Sequence, residues 1–233
     1  MGRLHSEILA DATLDPAIAR FADDHTTPLR GAVADAAAWT AAHLAERAEM
    51  MAGHAEAQLL QMLVAVTGAR SVLEIGTFTG VGALSLAAAL PRGGNVTTLE
   101  LDPEHAAIAR RHFEASPYAG RIQLLEGDAR TTLDFLPGPF DIIWIDAFKD
   151  DYPAYWEAIR TKVSPRGVVA ADNLLRRGDV LDPDSTATGT IAMRAFADRV
   201  QADPEFDNVL LTVGDGVMLA WRTQTGAPLH IPY

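Results

Sequence analysis

The sequence contains no cysteine, which excludes disulfide bonds, thiolate metal sites and cysteine nucleophiles. No run approaches the ~20 apolar residues of a membrane-spanning helix, and residues 1–7 lack the apolar core of a signal peptide. Basic residues are also scarce: 19 Lys and Arg against 31 Asp and Glu give a net charge of −12. Nucleic acids and anionic membranes are bound by basic surfaces, so neither is an expected partner. We therefore expect a cytoplasmic protein whose acidic surface is compatible with a small-molecule partner.

The remaining composition is that of an ordinary globular protein of 233 residues, 48% of them hydrophobic. This length suffices for one large domain. We predict a single domain over residues 1–233, with no linker. Residues 4–47 are rich in alanine and other helix formers, and we expect residues 1–50 to form N-terminal helices that cover a site or contribute to a dimer interface.

Residues 71–82 combine an apolar run, a glycine-containing turn and the start of a predicted helix. The run has the character of a buried parallel strand but contains Glu74. A buried acid is costly without a partner, so we expect this side chain to reach the strand's end. Gly76, Gly80 and Gly82 leave the turn without side chains, and the free N–H groups of a helix start favour a polar or anionic ligand. An ordinary tight turn is the alternative.

Strands and helices alternate along the rest of the chain. The predicted parallel strands are residues 71–75, 95–100, 121–125, 140–146 and 167–173, and residues 209–221 form a hairpin with its turn at 214–216. This alternation predicts an α/β fold, a doubly wound Rossmann-like sheet of seven strands with a C-terminal antiparallel hairpin and an N-terminal helical extension. Ligands of such sheets bind at the carboxyl ends of the strands.

Several residues near these strand ends are candidates for binding a nucleotide-like cofactor. Glu100 ends the second strand, where an acid can accept both ribose hydroxyls, although an exposed charge is the alternative. Asp128 and Ala129 follow the third strand, where an adenine can lie. Met50 has a flexible thioether that suits the apolar part of a cofactor, or it is simply part of a loop.

Two further strands end in carboxylates, Asp146 and Asp172, and Asn173 follows directly. Carboxylate and amide oxygens suit Mg²⁺, Mn²⁺ or Ca²⁺ rather than zinc. Consecutive strand residues point to opposite faces, so Asp172 and Asn173 can share an ion only if the chain bends there. The alternative is that the two aspartates cap helices. Lys149 is a candidate general base beside such a site, or a partner of the acids that follow it.

The segment Glu74-Ile-Gly-Thr-Phe-Thr-Gly80 resembles motif I of the class I S-adenosylmethionine (SAM)-dependent methyltransferases. Residues 144–152, 171–173 and 214–216 follow it in the order found in cation-dependent O-methyltransferases. That group includes catechol and caffeoyl-CoA O-methyltransferases and bacterial natural-product enzymes. The resemblance covers about residues 50–222, and its most specific part is the Asp-x-x-Lys sequence together with the later Asp-Asn pair.

The resemblance implies that Asp146, Asp172 and Asn173 hold a divalent cation, Mg²⁺ above all, that Lys149 is the base, and that the protein is a homodimer. It implies transfer of a methyl group from SAM to a hydroxyl of a metal-chelated aromatic diol. The residues predicted for the cofactor site are Met50, Glu74, Gly76, Phe78, Gly82, Glu100, Leu101, Asp128, Ala129 and Asp146.

Three positions depart from the family pattern. Gly82 stands where relatives often have a serine, Phe148 replaces a second acid found in the plant enzymes, and Ala52 replaces their threonine. These departures affect the expected substrate and the fine cofactor contacts. A non-catalytic SAM-binding subunit is one alternative function. A nicotinamide-dependent oxidoreductase is less favoured, because the glycines do not match the dinucleotide fingerprint.

Overall fold

The computed structural model describes residues 16–223. Residues 1–15 of the predicted N-terminal extension lie outside this range. The α-helices within it are α1 (Pro16–Asp24), α2 (Gly31–His43), α3 (His54–Thr67), α4 (Val81–Ala89), α5 (Pro103–Glu114), α6 (Ala129–Phe135), α7 (Tyr152–Ile159) and α8 (Thr188–Ala202). The strands are β1 (Ser71–Ile75), β2 (Asn95–Glu100), β3 (Ile122–Glu126), β4 (Phe140–Ile145), β5 (Val163–Ala171), β6 (Phe206–Leu211) and β7 (Val217–Arg222).

The strands form one seven-stranded sheet in the order β3-β2-β1-β4-β5-β7-β6. The strands β1 to β5 are parallel, whereas β7 runs antiparallel to both β5 and β6. The predicted doubly wound Rossmann-like sheet with its C-terminal hairpin is therefore confirmed. The direction of winding reverses between β1 and β4, which places a ligand crevice at their carboxyl ends.

Hydrophobic side chains fill a core on each face of the sheet. Successive strand residues contribute to opposite cores: Ile142 and Trp144 of β4 join one cluster, and Ile143 and Ile145 join the other. The first cluster lies under α2 to α5, and the second lies under α6 to α8. Both faces of the parallel strands are thus covered, which explains their nearly continuous apolar sequences.

Two features of the fold differ from the sequence-based expectation. Helix α6 was not predicted, since it is only seven residues long and contains two β-branched threonines that weaken the helical pattern. Strand β5 begins at Val163, earlier than expected, and pairs with Phe140 before a register shift in the ladder with β4. No helix within residues 16–223 has the length and apolar character needed to cross a membrane.

Candidate functional site

A cavity of about 280 Å³ lies at the carboxyl ends of β1 and β4. Its position is the reversal point of the sheet, where ligands of doubly wound folds bind. Six of the residues predicted to bind the cofactor line it, namely Met50, Glu74, Gly76, Phe78, Gly82 and Asp146.

A glycine brings the ends of β1 and β4 together beside this cavity. Gly76 has a φ of +96°, which favours glycine, and a Cβ at this position would overlap the backbone carbonyl of Asp146. The backbone N–H of Asp146 donates to the carbonyl of Ile75 at 2.9 Å, which extends the strand pairing to this point. A side chain at residue 76 would therefore push the two strand ends apart.

Glu74 is a buried acid on the cavity wall and only 1% exposed. Its carboxyl group accepts a hydrogen bond from the Thr98 hydroxyl, and no basic side chain within residues 16–223 forms an ion pair with it. Burial raises the pKa of Glu74 well above its usual value, and the nearby charges of Asp146 and Glu100 raise it further. Such an acid is suited to a ligand that brings a positive charge into the cavity.

Gly82 lies in the first turn of α4 and faces Glu74. A Cβ at Gly82 would overlap Oε1 of Glu74 and would lie 3.7 Å from Nε1 of Trp144. The absence of a side chain lets α4 lie close to the buried carboxyl group. The glycine that departs from the family pattern thus has a packing reason in this chain.

Glu100 ends β2 as predicted, but its carboxylate already accepts three backbone hydrogen bonds. Oε2 accepts from the N–H groups of Thr77 at 3.0 Å and Phe78 at 2.7 Å, and Oε1 accepts from Asp102 at 2.9 Å. Glu100 therefore fixes the turn after β1. Each carboxylate oxygen can accept a further bond, so a role in ribose binding stays a prediction.

Three other residues predicted for the cofactor site lie apart from the cavity, at the ends of β2 and β3. Leu101 is 68% exposed. Asp128 is the N-cap of α6 and accepts from the backbone N–H of Arg130 at 2.9 Å, while Ala129 is the first residue of that helix. None of the three predicted residues lines the cavity, so their contact with a cofactor also stays a prediction.

The predicted metal ligands follow two adjacent parallel strands at the same level. Ile145 of β4 pairs with Ala171 of β5, so Asp146 and Asp172 are the next residues on neighbouring strands. Asp172 is 3% exposed. Burial raises its pKa to about 8, with further contributions from the negative charges of Asp146 and Glu56. Neither aspartate is the N-cap of a helix within residues 16–223.

The chain bends after Asp172, as a shared ion would require. Asn173 has a φ of +62°, a left-handed conformation that asparagine tolerates better than most residues. Its backbone N–H donates to Oδ1 of Asp172 at 2.6 Å. The strand alternation therefore ends at this asparagine.

Lys149 lies in a short 3-10 turn directly after β4 and is held by two contacts. Its Nζ donates to Oδ1 of Asp146 at 2.8 Å and to the hydroxyl of Tyr152 at 3.3 Å. The Tyr152 hydroxyl in turn donates to the carbonyl of Ile145 at 3.1 Å, and burial raises the pKa of this tyrosine well above its usual value. Lys149 thus pairs with the strand-end aspartate and not with the acids that follow it.

Two acids of this site were not singled out from the sequence. Glu56, on α3, is 8% exposed and accepts from the backbone N–H of Gly53 at 2.6 Å. Burial raises its pKa, and the charges of Asp146 and Asp215 add to this. Asp215 lies in the Gly-Asp-Gly turn between β6 and β7, which was predicted from the sequence as the turn of the hairpin. Within residues 16–223, no three His, Cys, Asp or Glu side chains form a group that could hold a metal ion.

Comparison with known proteins assigns the chain to a family. A family described as O-methyltransferase matches residues 29–223. The chain belongs to this O-methyltransferase family. Among curated relatives, a catechol O-methyltransferase from Niastella koreensis is 35% identical over 177 residues, which cover 71% of this chain and 79% of the relative. A caffeoyl-CoA O-methyltransferase from Eucalyptus gunnii is 33% identical over 181 residues, covering 72% of each chain.

Solved structures of O-methyltransferases have the same fold. An O-methyltransferase from Bacillus cereus in complex with S-adenosylhomocysteine (SAH) aligns with a TM-score of 0.81 and 32% identity, covering 89% of this chain and 97% of that one. An enzyme of tomaymycin synthesis from Streptomyces achromogenes, in complex with SAM, aligns with a TM-score of 0.80 and 28% identity, covering 89% and 96%. Membership of this family supports SAM-dependent O-methyl transfer as the activity of the chain. It does not support the alternative of a nicotinamide-dependent oxidoreductase.

The lining of the cavity suits part of a SAM molecule. Gly76 and Gly82 contribute backbone to it, and the carboxyl of Glu74, which has no ion-pair partner within residues 16–223, suits the positive charge of the cofactor. Met50 and Met51 add thioether surface to the lining. The residues present are therefore chemically compatible with SAM.

Proposed function

We propose that this protein transfers a methyl group from SAM to one hydroxyl of an aromatic vicinal diol, and that the diol is chelated to a divalent cation. Asp146, Asp172 and Asn173 hold the cation, and Lys149 is the general base. The observation that carries the proposal is the pair of strand-end aspartates at one level, with Lys149 Nζ 2.8 Å from one of them.

The electrostatics of the crevice favour a bound cation. Burial raises the pKa values of Glu56 and Asp172; the charges of Asp146 and Asp215 add to the rise at Glu56, those of Asp146 and Glu56 add to it at Asp172, and Lys149 opposes both. Burial raises the pKa of Asp172 to about 8, which means that its surroundings disfavour the negative charge. A divalent cation compensates such mutual repulsion.

The donor set also fits the chemistry of Mg²⁺ or Mn²⁺. Two carboxylates and one amide are hard oxygen ligands, and they leave about three octahedral positions for water and a diol. The third ligand in this proposal is the Asn173 amide, so the site does not require a third His, Cys, Asp or Glu side chain, and residues 16–223 contain no such group of three.

When bound, the cation supplies two adjacent positions and lowers the pKa of a coordinated hydroxyl, and SAM supplies the methyl group. Lys149, once neutral and no longer paired with Asp146, would accept the hydroxyl proton at Nζ, and SAM would leave as SAH after giving up its methyl group. Tyr152 keeps the lysine at the site, because its own hydroxyl is fixed to the backbone of β4. Phe148, 65% exposed beside Lys149, offers an apolar surface for the aromatic ring of the acceptor.

Methyl transfer to catechols, with and without chelator, tests this function. The purified protein with labelled SAM should methylate catechol only when Mg²⁺ or Mn²⁺ is present, and EDTA should abolish the reaction until the metal is restored. Phenol, which has a single hydroxyl, is the matched control and should be a poor acceptor. Undiminished transfer after complete removal of divalent ions would refute the metal role. SAM binding with no transfer to any diol would favour the non-catalytic subunit.

A homodimer is part of the same proposal. Large apolar side chains are exposed on neighbouring helices, with Phe21 on α1 at 65% and Met62 and Val66 on α3 at 60% and 73%. Exposed apolar surface of this kind is typical of protein interfaces. Light scattering after size exclusion should give twice the chain mass, and Met62→Glu should shift the protein toward the monomer. A monomeric wild-type protein would reject the dimer.

A further inference from the structure

Arg176 has an unusual position beside the proposed acceptor site. It follows β5 in the 3-10 segment Arg176–Leu181 and is half-buried. Its Nε is buried and has no hydrogen-bond partner, and its guanidinium forms no ion pair with any residue from 16 to 223. Buried polar groups are almost always paired. An unpaired guanidinium nitrogen inside the protein therefore indicates that its acceptor comes from outside the chain.

The guanidinium and the proposed catalytic lysine pack around the same glycine. Gly189 lies in the first turn of α8. A Cβ built on Gly189 would lie 3.5 Å from Nη2 of Arg176, 3.5 Å from Cβ of Lys149 and 3.2 Å from Oδ1 of Asp150. Arg176 is therefore a neighbour of the residue that accepts the proton in the proposed reaction.

The acids around this segment are occupied by other donors. Asp179 accepts hydrogen bonds from the hydroxyls of Ser185 and Thr190. Asp215 accepts from the backbone N–H of Arg177 at 2.6 Å. The hydroxyl bonds lower the pKa of Asp179, and the charge of Arg176 adds to this at a distance, without an ion pair. The guanidinium hydrogen-bond donors of Arg176 are therefore left for a ligand.

The adjacent arginine provides a contrast within the same segment. Arg176 and Arg177 both have positive φ values, +50° and +55°. The side chain of Arg177 is 80% exposed and pairs with Glu49 at 2.7 Å. One arginine thus points to solvent and has a partner, and the other is half-buried without one.

We propose that the methyl acceptor carries a carboxylate on its aromatic ring system and that Arg176 binds this carboxylate. The proposal rests on the proposed diol methylation and adds the class of acceptor to it. Arginine binds carboxylates through two parallel hydrogen bonds from its planar guanidinium. The rest of the crevice is acidic and repels an anion, so the positive guanidinium of Arg176 determines where an anionic substituent can lie.

Two acceptors of nearly equal shape test the charge requirement. 3,4-Dihydroxybenzoate carries the carboxylate, and 3,4-dihydroxybenzamide is its neutral counterpart. The ratio of their kcat/KM values should favour the acid in the wild-type enzyme. In Arg176→Gln this ratio should fall about 10- to 100-fold, the loss expected for a charge-assisted pair. Arg177→Gln, which removes the same charge from the exposed neighbour, should leave the ratio unchanged.

A structural role for Arg176 predicts a different outcome. Its guanidinium forms no hydrogen bond or ion pair within residues 16–223, so Arg176→Gln should leave the Tm nearly unchanged. An unchanged ratio in Arg176→Gln, or an equal fall in Arg177→Gln, would overturn the proposal even if both diols are methylated.

A binding measurement separates this proposal from the catalytic one. If neither diol is methylated, the proposed function fails, and titration of benzoate into the SAH complex still tests the arginine. Benzoate should bind the wild type about tenfold or more tightly than it binds Arg176→Gln. Equal binding by the two proteins, or no binding by the wild type, would reject the carboxylate site.

Discussion

The contact between Gly82 and Glu74 gives a prediction that the structure makes quantitative. In Gly82→Ala, the new Cβ would overlap Oε1 of Glu74 far inside the ~3.5 Å of ordinary contact. The carboxyl group is fully buried and hydrogen-bonded to Thr98, so its movement also breaks that bond. Overpacking costs about 2 kcal/mol, and the lost bond adds about 1 kcal/mol.

A smaller effect opposes this cost. Alanine is favoured over glycine in a helix by about 1 kcal/mol, and residue 82 is helical. The net loss in the free energy of unfolding is then about 2 kcal/mol, which lowers the Tm of a domain of this size by about 4–8 °C. Glu74 lines the cavity, so its displacement should also weaken SAH binding. A loss of about 1.4 kcal/mol in binding free energy would raise the Kd for SAH about tenfold.

Calorimetric unfolding and titration with SAH measure the two effects. Gly120→Ala is the matched control, since a Cβ there has nothing within 4 Å, and it should change stability by no more than about 0.5 kcal/mol. The double variant Glu74→Ala, Gly82→Ala removes the overlapping atom, so the alanine at 82 should cost less in that background. If Gly82→Ala unfolds and binds SAH like Gly120→Ala, the packing argument is wrong.

Three further predictions concern the base, a structural ion pair and the hairpin turn. Lys149→Ala should bind SAH normally but lose about 10²- to 10⁴-fold in turnover in the methyl-transfer assay, and an active variant would remove the lysine from the proton transfer. Asp203 accepts two hydrogen bonds from Arg160, at 2.6 and 2.9 Å, which lower the pKa of its carboxyl. Asp203→Asn should therefore lose about 2 kcal/mol at pH 7. A carboxyl whose pKa is lowered by folding stabilises the fold at pH values above its unfolded pKa of about 4. The stability difference between wild type and Asp203→Asn, measured by urea unfolding, should therefore shrink as the pH falls below about 4. A difference that stays constant with pH would contradict the ion pair. Gly214→Ala, with a φ of +55° and a Cβ that would overlap Oε1 of Glu56, should lose about 3 kcal/mol in the same measurement, and wild-type stability would show that the turn has room.

Much of the fold was predictable because its signals are local. The apolar runs ending at Glu100, Asp146 and Asp172 mark strands directly, and the rule that ligands bind at carboxyl ends then groups these acids at one edge. The bend at Asn173 was a condition of the metal hypothesis, and the positive φ meets it. The metal and base roles themselves are untested by the fold.

The parts of the site that were not predicted from the sequence depend on contacts between distant segments. Glu56 reads as an ordinary N-terminal helix residue, and only the folded chain brings it against the Gly214 turn. The backbone hydrogen bonds to Glu100 depend on the conformation of the turn after β1, which no periodicity reveals. Similarly, Arg176 looks like any loop arginine until the burial of its Nε is known.

The direction of β7 has a consequence for how the site is assembled. Since β7 runs against its neighbours, the turn that precedes it returns to the edge where the parallel strands end. Glu56 precedes β1 and Asp215 precedes β7, and the two acids lie close together at this edge of the sheet. This part of the site therefore combines residues from before the first strand and before the last strand of the sheet. Contacts between such distant segments form late in folding. A chain synthesised only as far as β6 would lack Asp215, and its crevice would be missing one of these two acids.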